Sequence, residues 1–216
     1  IELHLAVLGM TGFTGYFGML DIGRPQPEQT VVVSAASGAV GSVAAQVAKR
    51  QGARVIGIVG GPVKCAYLTD ELGLDAAVDY KSTEQSIADQ LAAATPTGID
   101  VYFDNVGGEI LEAVLQNIND HSRIVLCGGI SGYDDMAGAA GPAGYMKLVT
   151  TSSSMQGFTM KDYLHRIPEA FADLSSWVAE GSLVHRQHIV DGIERFPQAL
   201  RMLFSGENHG KLLLRP

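Results

Sequence analysis

Residues 30–34 read TVVVS, an unbroken β-branched run that suits a strand buried on both faces of a sheet. Pro25 and Pro27 mark the loop ahead of it. From Val40 the apolar side chains recur at 40, 43, 44, 47 and 48, a helical stripe that Gly52 ends. The alternation then repeats. RVIGIV at 54–59 predicts a second strand, and Pro62 suits the start of a helix running to Leu72, with Gly73 as its stop. A short third strand is expected over 76–80, and Ser82 and Gln85 have capping-box spacing for a helix through Ala94. A fourth strand is expected over 99–103, a Gly107-Gly108 turn into a helix to about Asn117 follows, and RIVLC at 123–127 reads as a fifth strand.

Strand and helix thus alternate four times, the pattern of the α/β class. The expected architecture is a Rossmann-type doubly wound parallel sheet with helices on both faces. Such sheets bind ligands outside the carboxyl ends of their strands. Glycines gather at those ends: Gly38 and Gly41, Gly60 and Gly61, Gly107 and Gly108, Gly128 and Gly129. Beyond them the rhythm weakens. Residues 131–147, with Gly132, Gly138, Gly141, Pro142 and Gly144, predict a loop. A strand over 155–160, helices over 167–180 and 194–204, and a closing strand over 211–215 are expected.

Composition narrows the partners. Lysine and arginine total 15 against 23 acids, a net charge of −8, which argues against nucleic acid or an anionic membrane surface. Glycine is in excess, at 26 of 216 residues. No collagen-like period or linker explains the excess, so it belongs in turns and close approaches. Cys65 and Cys127 are the only cysteines, which fits a reducing, cytoplasmic setting. No run of about 18 apolar residues offers a membrane span. The start, Ile1-Glu2-Leu3-His4, lacks the basic region of a signal peptide. It also lacks a methionine, as expected of a piece of something longer. The nearest histidine pair, His185 and His188, has no third ligand nearby and reads as polar residues of a loop or strand.

Positions 36, 38 and 41 match the spacing of G-x-G-x-x-G, with alanine first, and they follow a strand and open a helix. Gly38 lets backbone reach a pyrophosphate, Gly41 lets the helix pack on the strand, and the helix N-terminus offers free N–H groups. A dinucleotide is the expected ligand; a purely structural turn or another nucleotide-like ligand is the competing reading. The place where an NAD site carries an acid on the second strand is here Val59-Gly60-Gly61. Its absence permits a 2′-phosphate, and Lys64, just beyond, is placed to neutralise one. Alternatively Lys64 is a solvated helix lysine.

Several stretches together resemble the zinc-independent medium-chain dehydrogenases/reductases, in the branch of prostaglandin and leukotriene reductases and bacterial curcumin-reductase-like enzymes. They are GMTGFTGY at 9–16, the loop 35–42, GGPVKC at 60–65, DYK at 79–81, YFDNVGG at 102–108, CGGISGY at 127–133, MQGF at 155–158 and GENHGK at 206–211. The resemblance implies NADPH-dependent reduction of the carbon–carbon double bond of α,β-unsaturated ketones or aldehydes. It implies that backbone of Ser37, Gly38, Ala39 and Val40 holds the pyrophosphate, and that Lys64 and Tyr80 bind the 2′-phosphate. Asn105 and the segment of Cys127, Gly128, Gly129 and Ile130 would line the ribose and nicotinamide, completed by Phe158 and Asn208. Tyr133 would donate its hydroxyl to the substrate carbonyl as the catalytic residue. The plainer alternatives are that Tyr133 only packs on the cofactor, that Tyr80 is a strand-end packing residue, and that Asn105 caps the turn at Gly107.

Zinc-dependent relatives carry a cysteine ligand near residues 8–12; no Cys or His lies there, so no metal is expected. The family places a catalytic domain ahead of this chain. Residues 1–186 then form the nucleotide-binding unit with its leading helix, and 187–216 a return that packs on that domain. A homodimer through the nucleotide-binding unit is expected. A quinone-oxidoreductase-like enzyme and a non-catalytic NADPH-binding module are the competing functions.

Overall fold

The computed structural model describes residues 1–135 and 141–216, with residues 133–135 described in their backbone alone. The chain opens with α1 (Glu2–Leu5), α2 (Met10–Phe17) and a π-helical turn, Gly18–Gly23. The alternating unit follows: β1 (Thr30–Ser34), α3 (Gly41–Arg50), β2 (Arg54–Val59), α4 (Pro62–Ala66), β3 (Ala76–Asp79), α5 (Ile87–Ala94), β4 (Ile99–Asp104), α6 (Gly108–Leu115) and β5 (Ile118–Leu126). Then come α7 (Lys147–Thr150), β6 (Ser154–Gly157), α8 (Ile167–Ala179), β7 (Gln187–Asp191), α9 (Phe196–Ser205) and β8 (Lys211–Arg215).

Six parallel strands form one sheet in the order β3-β2-β1-β4-β5-β6. The strand order reverses between β1 and β4, where Val31–Val33 pair with Val101–Phe103, and a crevice opens at their carboxyl ends. Every residue of β1 is buried, as its β-branched run predicts. Val31 and Val33 face a core shared with α2, α3 and α8, and Val32 faces one shared with α5 and α6. Small residues bring α2 close to α3: a Cβ on Gly15 would lie 2.8 Å from the Val40 carbonyl oxygen. Among the described residues no helix is long and apolar enough to cross a membrane.

Several boundaries differ from expectation. The helix expected from Ser82 starts at Ile87, because Ser86 is the better cap: its Oγ accepts from the Asp89 N–H at 3.1 Å. Ser82 Oγ accepts only from Glu84 N–H, at 3.3 Å, in the turn before it. The helix from Pro62 loosens at Ala66 into a π-helical turn, Tyr67–Glu71, before Gly73 ends it at φ +66°. The stretch expected to be a loop holds short 3₁₀ turns at Ile130–Asp135 and Ala143–Met146, and α7 begins at its last residue. The second turn is pinned to α6, since Glu112 accepts from the N–H groups of Ala143 and Gly144. The strand expected over 155–160 ends at Gly157.

β7 had no periodicity to announce it. It pairs in parallel with β8, Gln187 opposite Lys211, in a separate two-stranded sheet crossed over by α9. This return touches the main sheet at the loop after β1. The Gly210 N–H donates to the Ser37 carbonyl at 3.1 Å, and Gly38 and Gly210 form an isolated bridge.

Candidate functional site

The loop between β1 and α3 turns sharply. Ala35 sits at φ +48°, and the Gly38 N–H closes on the Ala35 carbonyl at 2.8 Å. The turn excludes any side chain at position 41: a Cβ there would lie 2.4 Å from the Ala35 oxygen. The N–H groups of Ser37 and Val40 have no backbone acceptor among the described residues. They stand at the N-terminus of α3, whose first N–H groups and dipole favour an anion.

A cavity of about 660 Å³ opens over this loop. Ser37, Gly38 and Ala39 form its floor, and Lys64 and Tyr80 stand at the ends of the neighbouring strands. Ile130 and Ser131 bound it on the β5 side, and Asn208 on the return. The opposite wall is the apolar stripe of α9 at Phe196, Ala199, Leu200 and Leu203. That stripe is legible in the sequence at helical spacing, but nothing there says which surface it faces.

At the end of β2, glycine makes room for the residues after β3. A Cβ on Gly60 would sit 2.9 Å from the Tyr80 ring and 3.0 Å from Lys81 Cδ. Lys64 Nζ donates to the Gly206 carbonyl at 2.5 Å. Burial, and secondarily the Lys81 ammonium, lower the Lys64 pKa below the ordinary lysine value. Asp79, the acid nearest in sequence to Tyr80, directs one carboxylate oxygen to the N–H groups of Gly61 at 2.7 Å and Lys81 at 2.9 Å.

At the end of β4 a buried carboxylate organises the turn. Asp104 Oδ1 accepts from the Tyr102 hydroxyl at 2.8 Å, Ser34 Oγ at 3.2 Å, and the N–H groups of Val106 and Gly107 at 2.9 Å each. Its main-chain oxygen accepts from the N–H groups of Cys127 at 2.9 Å and Gly128 at 3.1 Å. One residue therefore joins the β4 turn to the segment after β5. Sequence reading passed over it because FDNVGG placed the emphasis on Asn105 and the glycines. Asn105 does not cap the Gly107 turn with its side chain; its Nδ2 donates to the Ser34 carbonyl at 2.7 Å, tying the ends of β4 and β1 together.

The remaining expected residues are placed unevenly. Val40, Asn105, Cys127, Gly128 and Gly129 border the crevice without lining the cavity. Burial pushes the Cys127 thiol up to about 12, so it is a neutral wall and not a nucleophile. Phe158 lies deeper: its ring is 2.5 Å from the position of a Cβ on Gly18 and meets Tyr163 edge-on. Asn208 Nδ2 donates to the Gly210 carbonyl at 2.9 Å, fixing its own turn. The Tyr133 side chain lies outside the described residues; its backbone belongs to the 3₁₀ turn Ile130–Asp135. Among the described residues no group of three or more His, Cys, Asp or Glu is arranged to hold a metal.

Residues 39–180 match the family model described as zinc-binding dehydrogenase. The chain is 49% identical over 214 residues to YfmJ of Bacillus subtilis, named as an NADP-dependent oxidoreductase, covering 98% of this chain and 63% of that protein. It is 42% identical over 216 residues to the NADPH-dependent curcumin reductase of Escherichia coli, covering 98% of this chain and 62% of that protein. The crystal structure of CurA from Vibrio vulnificus in complex with NADPH superposes with a TM-score of 0.93 at 43% identity, over 99% of this chain and 64% of that one. The chain therefore spans less than two thirds of the length of these relatives.

Proposed function

This chain belongs to the zinc-binding dehydrogenase family, and on that premise we propose that it is the cofactor-binding part of an NADPH-dependent reductase of α,β-unsaturated ketones and aldehydes. The cavity carries the reading: bare glycine-loop backbone, Lys64 and Tyr80 on one side, and the apolar face of α9 on the other. The first set suits a pyrophosphate and a 2′-phosphate, and the second suits flat apolar groups. The names of the Escherichia coli relative and the Vibrio structure agree with it.

When bound, NADPH supplies the hydride that adds to the carbon β to the carbonyl. The chain binds, orients and stabilises charge. Backbone of Ser37, Gly38, Ala39 and Val40 would hold the pyrophosphate, and Lys64 and Tyr80 would take the 2′-phosphate. Asn105, with its Nδ2 committed to Ser34, would have Oδ1 left to accept from a ribose hydroxyl. The segment 127–130, Phe158 and Asn208 would line the nicotinamide side. The Tyr133 hydroxyl would donate to the carbonyl oxygen, where hydride addition would build negative charge. Residues 1–186 form the nucleotide-binding unit and 187–216 the return.

The chain is expected to bind NADPH more tightly than NADH in calorimetric titrations; equal affinities would sink the 2′-phosphate reading. Enone-dependent NADPH oxidation, assayed on the protein that contains this chain, tests the chemistry. Tight NADPH binding with no turnover of any enone would favour a non-catalytic module, and turnover of quinones alone a quinone-oxidoreductase-like enzyme. The same reading includes a homodimer through the nucleotide-binding unit across one of the two edge strands of the sheet, β3 or β6. Sedimentation equilibrium should then give twice the chain mass, and a monomer at all concentrations would refute it.

A further inference from the structure

We propose that Lys81 is the second cation of the 2′-phosphate site and forms with Lys64 a paired-ammonium clamp that separates NADPH from NADH. The inference rests on the NADPH reading above and adds a residue to it.

Two adjacent strand ends supply the pair. Lys64 lies in the first turn of α4, after β2, and Lys81 follows β3, the strand parallel to it. The last turn of α9 fixes both side chains. Lys81 Nζ donates to the Ser205 carbonyl at 3.1 Å, and Lys64 Nζ to the next carbonyl, Gly206, at 2.5 Å. These are end-of-helix carbonyls without helical partners, at the negative pole of the helix. Gly206, at φ +67°, turns the chain there. Consecutive carbonyls hold the two ammonium groups as neighbours.

The pair lacks an anion. Among the described residues neither lysine forms a salt bridge. The Asp79 oxygen nearest in the chain is directed to main-chain N–H groups instead. A neutral carbonyl satisfies one of the three donors of each ammonium and none of its charge. Burial chiefly, and the Lys81 ammonium after it, lower the Lys64 pKa, in keeping with two ammonium groups held near each other. A phosphate monoester carries close to two negative charges at neutral pH and matches the pair. A ribose 2′-hydroxyl, as in NADH, leaves both cations unanswered.

The test is a calorimetric titration of this chain and its Lys81→Gln and Lys81→Arg variants with NADPH, NADH, 2′-AMP and 5′-AMP at fixed salt. Lys81 is exposed, so the variants should keep the parent melting temperature. Lys81→Gln is expected to weaken NADPH and 2′-AMP by about tenfold or more, the scale of a charge-assisted contact. NADH and 5′-AMP should be unchanged, and Lys81→Arg should restore most of the preference. If the parent chain prefers NADPH and Lys81→Gln keeps that preference, the clamp is overturned and the NADPH reading stands. Equal losses for NADPH and NADH would also overturn it, by showing that Lys81 only braces α9. If the parent chain itself does not distinguish NADPH from NADH, the underlying reading fails first.

Discussion

Asp104→Ala is expected to lower the unfolding free energy by about 3–5 kcal/mol, the scale for leaving several buried donors without their common acceptor. The carboxylate is 1% exposed, and its Oδ1 is the common acceptor for four donors. Alanine leaves the Tyr102 hydroxyl, itself wholly buried, without that partner, together with two main-chain N–H groups. An unsatisfied buried donor costs about 1–3 kcal/mol. Burial, and then the Asp104 charge, raise the Tyr102 pKa far above its ordinary value, so the phenol stays a donor. Asp104→Asn should be milder, because an amide keeps one acceptor oxygen and places NH₂ where Oδ2 has no partner. Urea unfolding at neutral pH measures both. A shift below about 1 kcal/mol for alanine would mean the turn does not depend on the carboxylate.

Lys64→Ala is expected to weaken NADPH by about 10- to 150-fold, or about 1.5–3 kcal/mol, while NADH affinity stays within a factor of about two. The asymmetry is the informative part. Lys64 Nζ also holds the Gly206 carbonyl, so its loss could loosen the return as well as remove a charge. A loosened return would weaken both coenzymes together. A lost phosphate contact weakens only the one that carries the phosphate, and its salt dependence falls with it. Titrations of the two coenzymes at two ionic strengths separate these outcomes.

Much of the sheet was readable because its strands are buried on both faces. TVVVS and RVIGIV are near-continuous apolar runs without period-two alternation, and the glycine spacing between the first strand and its helix pointed to a dinucleotide. The return was less readable. β7, QHIVD, alternates too weakly to stand out, and α9 shows its stripe without its neighbour. The pairing of Lys81 with Lys64 and the role of Asp104 depend on which strand ends lie side by side. That follows from strand order, not from local spacing. The helix before β4 ends at Ala94 as expected but starts later for a local reason, two serines competing as caps four residues apart, with Ser86 holding an aspartate at the right distance.

The reversal of strand order has a thermodynamic consequence. The crevice belongs to neither half of the sheet: Gly38 comes from the β3-β2-β1 side and Val106 from the β4-β5-β6 side. A nucleotide lodged there binds only when both halves are docked, so its binding free energy is added to the cohesion of the whole sheet. At a free ligand concentration of about 100 times Kd that amounts to about 2.7 kcal/mol. Coenzyme would thus work as a reversible staple, and its supply would set how long the protein survives heat and proteases.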